Sequence, residues 1–244
     1  MRKFLCFVLS LSLCLSLLTG CGSQADGKPR KKAVRREPAE TVSAQLAGPE
    51  SGDLIAVFDT SYGEIRAVLY PEAAPMAVEN FTGLAEQGYY DGTLFHRVIY
   101  GFVTQGGDAS GTGQKGATIW NNNPFPAEIS AELRHYSGAL CAANSPEEEA
   151  STTSQFYFVQ SLPGELDPDL RAKLEAAGTD ASVLADYDAV GGLAYLDFTD
   201  TVFGQIYEGM EVLDKIALTD TDENDRPLQD VVLNSVTIST YTAD

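Results

Sequence analysis

Apolar positions along this 244-residue chain follow three patterns. Residues 4–18 form a mostly apolar run, too short for a comfortable membrane span. From residue 54 the pattern becomes one of short runs. Leu54–Asp59 and Glu64–Tyr70 flank a Ser-Tyr-Gly turn and read as a hairpin. Runs rich in aromatic and β-branched residues at 95–99, 102–105, 155–160, 201–206 and 231–240 read as further strands, with another inside 133–143. Helical spacing is rarer. It places Val78, Phe81, Leu84 and Ala85 on one face of a helix over 75–87, with Pro75 in the first turn and Gly88 as the stop. A second short helix is predicted over 211–217. Many short strands with two core helices predict an all-β barrel or sandwich. Between two strands, residues 167–191 carry an acidic helical texture, predicted as a surface excursion whose deletion leaves a folded barrel.

The N-terminal pattern describes an address and not a fold. Arg2 and Lys3 precede the apolar run, and Leu18-Thr19-Gly20-Cys21 follows it, so residues 1–20 read as a signal peptide. Small residues before a cysteine at this place resemble the lipobox of bacterial lipoproteins, which implies that Cys21 is lipidated and becomes the new N-terminus. That resemblance implies a cell-membrane location, anchored on the extracytoplasmic face. Residues 21–50 lack apolar periodicity and are predicted as a flexible tether reaching roughly 30 Å. Its basic residues, Lys28 to Arg36, suit either anionic lipid headgroups or a plain solvated spacer. Residues 51–244 are left as one domain.

Charge narrows the partners. Half of the 16 Lys and Arg lie before residue 37, against one of the 35 Asp and Glu, so the remainder carries −26. Such a balance excludes nucleic acid, whose phosphates require basic surface. Of four cysteines, Cys141 alone falls in the body, which permits neither an internal disulfide nor a paired-cysteine zinc site. Its apolar neighbours predict a buried strand position. His96 and His135 are far apart in sequence, and no metal is expected. Strand alternation turns His96 away from Arg97, toward a packed and hydrogen-bonded position. Gly111 to Gly116 fits G-x-G-x-x-G, but Ala-Thr-Ile-Trp-Asn-Asn-Asn-Pro follows and opens no helix, so it reads as a loop with no nucleotide role.

What remains unexplained is FHRVIYGFVTQGGD at 95–108, where an arginine and a glutamine interrupt paired apolar strands. Together with GTGQKG at 111–116, Ala-Ala-Asn at 142–144, SQFYFV at 154–159, YLD at 195–197 and VFGQIYEGMEVLDKIA at 202–217, it resembles the signature of cyclophilins. The resemblance spans roughly residues 54–240 apart from the helical insertion. It implies an eight-stranded antiparallel barrel capped by two helices, with a substrate groove on the outer wall. It also implies peptidyl-prolyl cis-trans isomerase activity without a cofactor. Residue by residue it makes Arg97 the key catalytic side chain, assisted by Gln105 and Phe102. Asn144 and Gln155 orient the peptide, Val103, Tyr157 and Leu196 join Phe102 around the proline ring, and Ala143 and Tyr195 border the groove. Four positions depart from the common family pattern: Val103 stands for methionine, Tyr157 for phenylalanine, Tyr195 for tryptophan and Asp200 for histidine. The partners implied are proline-containing segments of newly exported proteins, met by a monomer. The alternative is a lipoprotein that binds such segments as a chaperone or scaffold without turnover.

Overall fold

A computed structural model describes residues 31–144 and 151–243. In chain order the elements are β1 (Leu54–Thr60), β2 (Gly63–Leu69), α1 (Pro75–Glu86), β3 (Thr93–Leu94), β4 (Arg97–Val98), β5 (Val103–Gly106) and β6 (Ala139–Ala142). They continue with β7 (Phe156–Val159), α2 (Pro168–Ala176), α3 (Ala181–Val190), β8 (Thr201–Glu208), α4 (Met210–Ala217) and β9 (Val232–Thr240). The strands form one sheet in the order β3-β9-β1-β2-β8-β6-β7-β5-β4, antiparallel throughout.

That order forces the sheet to curl. β3 and β4 lie at its two ends, yet only Phe95 and His96 separate them in the chain. Laid flat, the strands would spread over roughly 38 Å at ~4.8 Å per gap. Leu94 and Arg97 are three residues apart and sit within about 11 Å. The sheet therefore bends round into a barrel-like wall. The eight strands expected from the family resemblance become nine because pairing switches from β9 to β5 across Phe95, whose side chain is buried in the core. Of the strand predicted over 95–99 only Arg97–Val98 pairs, as β4, and β3 at Thr93–Leu94 precedes the predicted run.

Alternation along β7 sends Phe156 and Phe158 into the barrel and Tyr157 and Val159 to its outer wall, where both are also covered. Inside, Phe58 meets Phe158 edge-on with ring centroids 5.0 Å apart, and Phe81 of α1 meets Phe156 at 5.8 Å. α4 contributes Val212, Leu213 and Ile216 to the same cluster. α1 begins on Pro75, and its N-terminal amides are satisfied from a distance: the Glu128 carboxylate accepts from Met76 N (3.0 Å) and Ala77 N (2.9 Å).

Residues 31–50 are not the solvated tether expected of 21–50. They form a strap docked on the barrel. Arg36 donates from Nε and Nη2 to the two oxygens of the largely buried Asp214, both at 2.8 Å. Val42 N and Ser43 N donate to Asp186 of α3, each at 2.9 Å. The buried Gln45 amide brackets the backbone of Arg134, accepting from its N and donating to its O, both at 2.9 Å. Apolar periodicity misses such a segment because polar matches hold it. The body of the protein thus starts before residue 51. The signal peptide, Cys21 and residues 22–30 lie outside the described residues. Among the described residues no helix is long and apolar enough to cross a membrane.

The insertion is helical as expected, broken at Gly178 between α2 and α3. It is anchored more firmly than an excursion. Tyr187 is buried against Tyr136 with ring centroids 4.6 Å apart, and its hydroxyl donates to both oxygens of Asp197 at 2.8 Å. Leu46 of the strap packs into the same small cluster.

Candidate functional site

The outer wall of the barrel carries the candidate residues because strand register lines them up. Arg97 pairs with Gln105 across β4 and β5, Gln105 with Tyr157 across β5 and β7, and Tyr157 with Cys141 across β7 and β6. The turn that sets this register runs from Ile99 to Phe102. Phe102 N donates to Ile99 O (3.1 Å), Ile99 N donates to Val103 O (2.9 Å), and Gly101 takes the left-handed position at φ 76°. Downstream, Gly107 has φ 85°, and a Cβ there would lie 2.3 Å from Ser154 O, so only glycine lets β5 approach β7 this closely.

A cavity of about 190 Å³ opens on this wall, lined by Arg97, Phe102, Val103, Gln105, Ala143, Asn144, Tyr157, Leu196 and Asp200. Its base is apolar, a cluster of Val103, Val159, Ala139 and Val202 with Phe102 and Leu196 packed against it. The Arg97 guanidinium lies 5.5 Å from the Phe102 ring centroid.

The polar side of the cavity is a chain of amides with a fixed direction. The carbonyls of Gly113 and Lys115 can only accept, and both take hydrogens from Gln155 Nε2, at 3.0 and 2.9 Å. Gln155 Oε1 is therefore turned to accept from Gln105 Nε2 at 3.0 Å. That leaves Gln105 Oε1 to accept from Arg97 Nη1 at 3.3 Å. Two backbone carbonyls thus orient the guanidinium through two glutamines. The Gly-rich stretch 111–116 is the loop that supplies them and opens no helix. Asp108 holds the loop: its carboxylate accepts from Ser110 N at 2.7 Å and Lys115 N at 3.2 Å, as well as from the Ser110 hydroxyl. Burial alone would raise its pKa, but the bonds from Ser110, Lys115 and Thr112 hold it below the ordinary carboxylate value.

Two of the departures from the family pattern explain each other. Tyr157 donates its hydroxyl to Asp200 Oδ2 at 2.5 Å, so the carboxylate at 200 satisfies the phenol gained at 157. Burial first, then the neighbouring Cys141 and Asp200, push the Tyr157 phenol far above its ordinary pKa. Cys141 lies fully buried behind it, and burial raises its thiol well above the usual range, which removes it as a nucleophile.

Of the catalytic and groove residues that the family resemblance implies, all but Gln155 and Tyr195 line the cavity. Gln155 acts one bond away through Gln105. Tyr195, 55 % exposed, lines a neighbouring pocket that shares Phe102. Asn144 Nδ2 donates to Thr199 O at 3.4 Å, while its Oδ1 is buried without a partner among the described residues. His96 is packed as expected, but its Nδ1 has no hydrogen-bond partner among the described residues. His135 is buried, with Nδ1 3.3 Å from Asp197 Oδ1. Sequence reasoning missed the carbonyls of Gly113 and Lys115, which no side chain announces, and did not place Asp200 in the cavity that it lines.

Gln160 links this site to the strap. Its Nε2 donates to Asp214 Oδ1 at 3.0 Å, beside Arg36, and its Oε1 accepts from Gly101 N at 2.7 Å. Its own backbone N donates to Phe102 O at 2.8 Å.

Comparison with known proteins gives a consistent answer. The family model described as cyclophilin type peptidyl-prolyl cis-trans isomerase/CLD matches residues 55–238. A putative peptidyl-prolyl cis-trans isomerase of Staphylococcus aureus is 38% identical over 189 residues, covering 78% of this chain and 93% of its own. A putative bifunctional phosphatase/peptidyl-prolyl cis-trans isomerase of Streptococcus pyogenes is 40% identical over 181 residues, 73% of this chain but only 37% of that longer protein. The crystal structure of a Cryptosporidium parvum cyclophilin type isomerase aligns with a TM-score of 0.63 at 26% identity, covering 78% of this chain and 99% of the other. The same protein in the presence of the dipeptide Ala-Pro aligns with a TM-score of 0.62.

Proposed function

This chain belongs to the cyclophilin-type peptidyl-prolyl cis-trans isomerases, and on that premise we propose that Arg97 drives the rotation while the cavity beside it grips the proline ring. The observation that carries this reading is the directed amide chain that holds Arg97 at the rim of an apolar cavity. An Xaa-Pro amide faces a barrier of ~18–20 kcal/mol because twisting about C–N breaks its resonance. No covalent bond forms or breaks. At half rotation the prolyl nitrogen regains its lone pair and accepts a hydrogen bond, so a guanidinium beside it binds the twisted state better than the planar one. A planar, permanently charged fork suits that role better than an ammonium.

One charge-assisted hydrogen bond contributes about 1.5–3 kcal/mol. That is roughly one to two decades of rate at 1.36 kcal/mol each. Further acceleration comes from holding the ring against Phe102, Val103, Tyr157 and Leu196 in a site where polar contacts are strengthened by the exclusion of water. A protease-coupled assay on an Ala-Pro tetrapeptide tests the assignment. Arg97→Ala lowers kcat/KM roughly 10–150-fold with little change in peptide affinity, and Arg97→Lys restores little of it. Phe102→Ala weakens binding and turnover together. Unchanged turnover in a folded Arg97→Ala variant overturns the mechanism and favours a domain that binds proline segments without isomerising them.

For the place of action our proposal rests on the N-terminal residues. The apolar run at 4–18 and the Leu-Thr-Gly-Cys that ends at Cys21 support a lipid-anchored isomerase on the extracytoplasmic face, with newly exported chains as clients. Cys21→Ala then moves the protein out of the salt-washed membrane fraction. Retention there overturns the anchor.

A further inference from the structure

A second pocket adjoins the proline cavity, and the insertion builds its far wall. It measures about 240 Å³ and is lined by Phe102, Glu165, Leu166, Leu170 and Tyr195, among others. Two features place it beside the catalytic groove. Phe102 lines both cavities, and the consecutive residues Tyr195 and Leu196 line one each. Neighbouring residues of a bound chain are about 3.8 Å apart, so a residue close to a proline held in the first cavity reaches the second.

The lining defines what fits. Leu166, Leu170 and the largely exposed Tyr195 ring offer apolar surface to a long methylene stem. The charge at the rim is negative. Asp167 also lines the pocket, but its carboxylate is already engaged as the cap of α2, accepting from Leu170 N at 2.9 Å. Glu165 is exposed and forms no ion pair among the described residues, so its charge is left for a ligand. A stem of several methylenes ending in a cation meets both conditions, and the Tyr195 ring adds a face on which such a cation rests favourably.

We infer that this pocket is a specificity subsite, and that it takes a lysine or arginine of the client chain lying within two residues of the proline being isomerised. The inference rests on the isomerase reading above. The strongly acidic domain attracts any basic peptide from a distance, but that attraction does not depend on where the cation sits in the peptide. A subsite does.

The test is a set of Ala-Pro peptides of equal length, with one lysine or one glutamate either within two residues of the proline, on each side in turn, or at the far end. For the wild-type chain, kcat/KM for near-lysine exceeds that for near-glutamate about fivefold on one side of the proline. The preference shrinks as salt rises. Far-end lysine and glutamate differ less than twofold. In Glu165→Lys the near preference disappears or inverts, and exposure of the side chain keeps the fold out of question. Equal preference for near and far lysine, or a near preference that survives Glu165→Lys, overturns the subsite while leaving the isomerase reading intact. Failure of the wild-type chain to turn over any of the peptides overturns the isomerase reading itself.

Discussion

The barrel interior and the face formed by the strap and insertion are held by opposite means. Inside, Phe58, Phe81, Phe156 and Phe158 meet ring to ring among buried aliphatic residues. On the strap face the apolar contribution is a small cluster around Tyr136 and Tyr187. The rest is a set of matched polar contacts: Arg36 with Asp214, the Val42 and Ser43 amides with Asp186, Gln45 with Arg134, and Tyr187 with Asp197. The lesson concerns cost and precision. Apolar contacts drive burial without direction, whereas each polar match contributes little net energy but leaves a buried group unsatisfied when it is lost.

The largest effect separates the two regions directly. Phe158→Ala empties the barrel centre and costs about 3–5 kcal/mol, read as a drop in the urea midpoint with an unchanged slope. Arg36→Ala loses a two-pronged ion pair but lets the strap lift and water reach Asp214, so it costs less, about 1–3 kcal/mol. If Arg36→Ala equals Phe158→Ala, the strap is part of the core and the contrast fails.

The smallest effect is one of pH. Burial, with Arg226 and Arg97 nearby and Asp108 opposing, lowers the His96 pKa below its ordinary value. The folded state thus favours neutral imidazole. The associated stability is complete above the unfolded value of about 6.5 and is lost as pH falls from there through the lowered folded value. Asp108 stays ionised across that window because its own pKa is held low. Urea midpoints near pH 7.5 and pH 5.5 therefore differ more for the wild-type chain than for His96→Gln. Identical differences for both would remove His96 as the source.

The same contrast explains what was legible in the sequence. β1 and β2, α1, α4 and β9 appear within a residue or two of their predicted bounds because spacing of apolar residues is a direct record of burial. The cavity residues were legible because a whole constellation, and not one motif, carried them. The strap was not: Arg36 and Gln45 look like solvated residues in any window, and their partners Asp214 and Arg134 lie 178 and 89 residues away. β3 and the switch of pairing across Phe95 were hidden for a related reason, since an apolar aromatic residue suits a strand whichever neighbour pairs with it. The use of Asp200 was not legible because it depends on the hydroxyl of Tyr157, a pairing across 43 residues.

The docked strap also sets a radius. Stretched out, residues 22–50 would let a body that began at residue 51 wander about 100 Å from Cys21. With the body beginning at Lys31, only residues 22–30 intervene, and no arrangement of them spans more than about 32 Å. If Cys21 carries the anchor proposed above, the isomerase is on a short leash. Its groove then serves polypeptides in the thin shell of space next to the bilayer, where an exported chain first emerges, and leaves those farther out to other proteins.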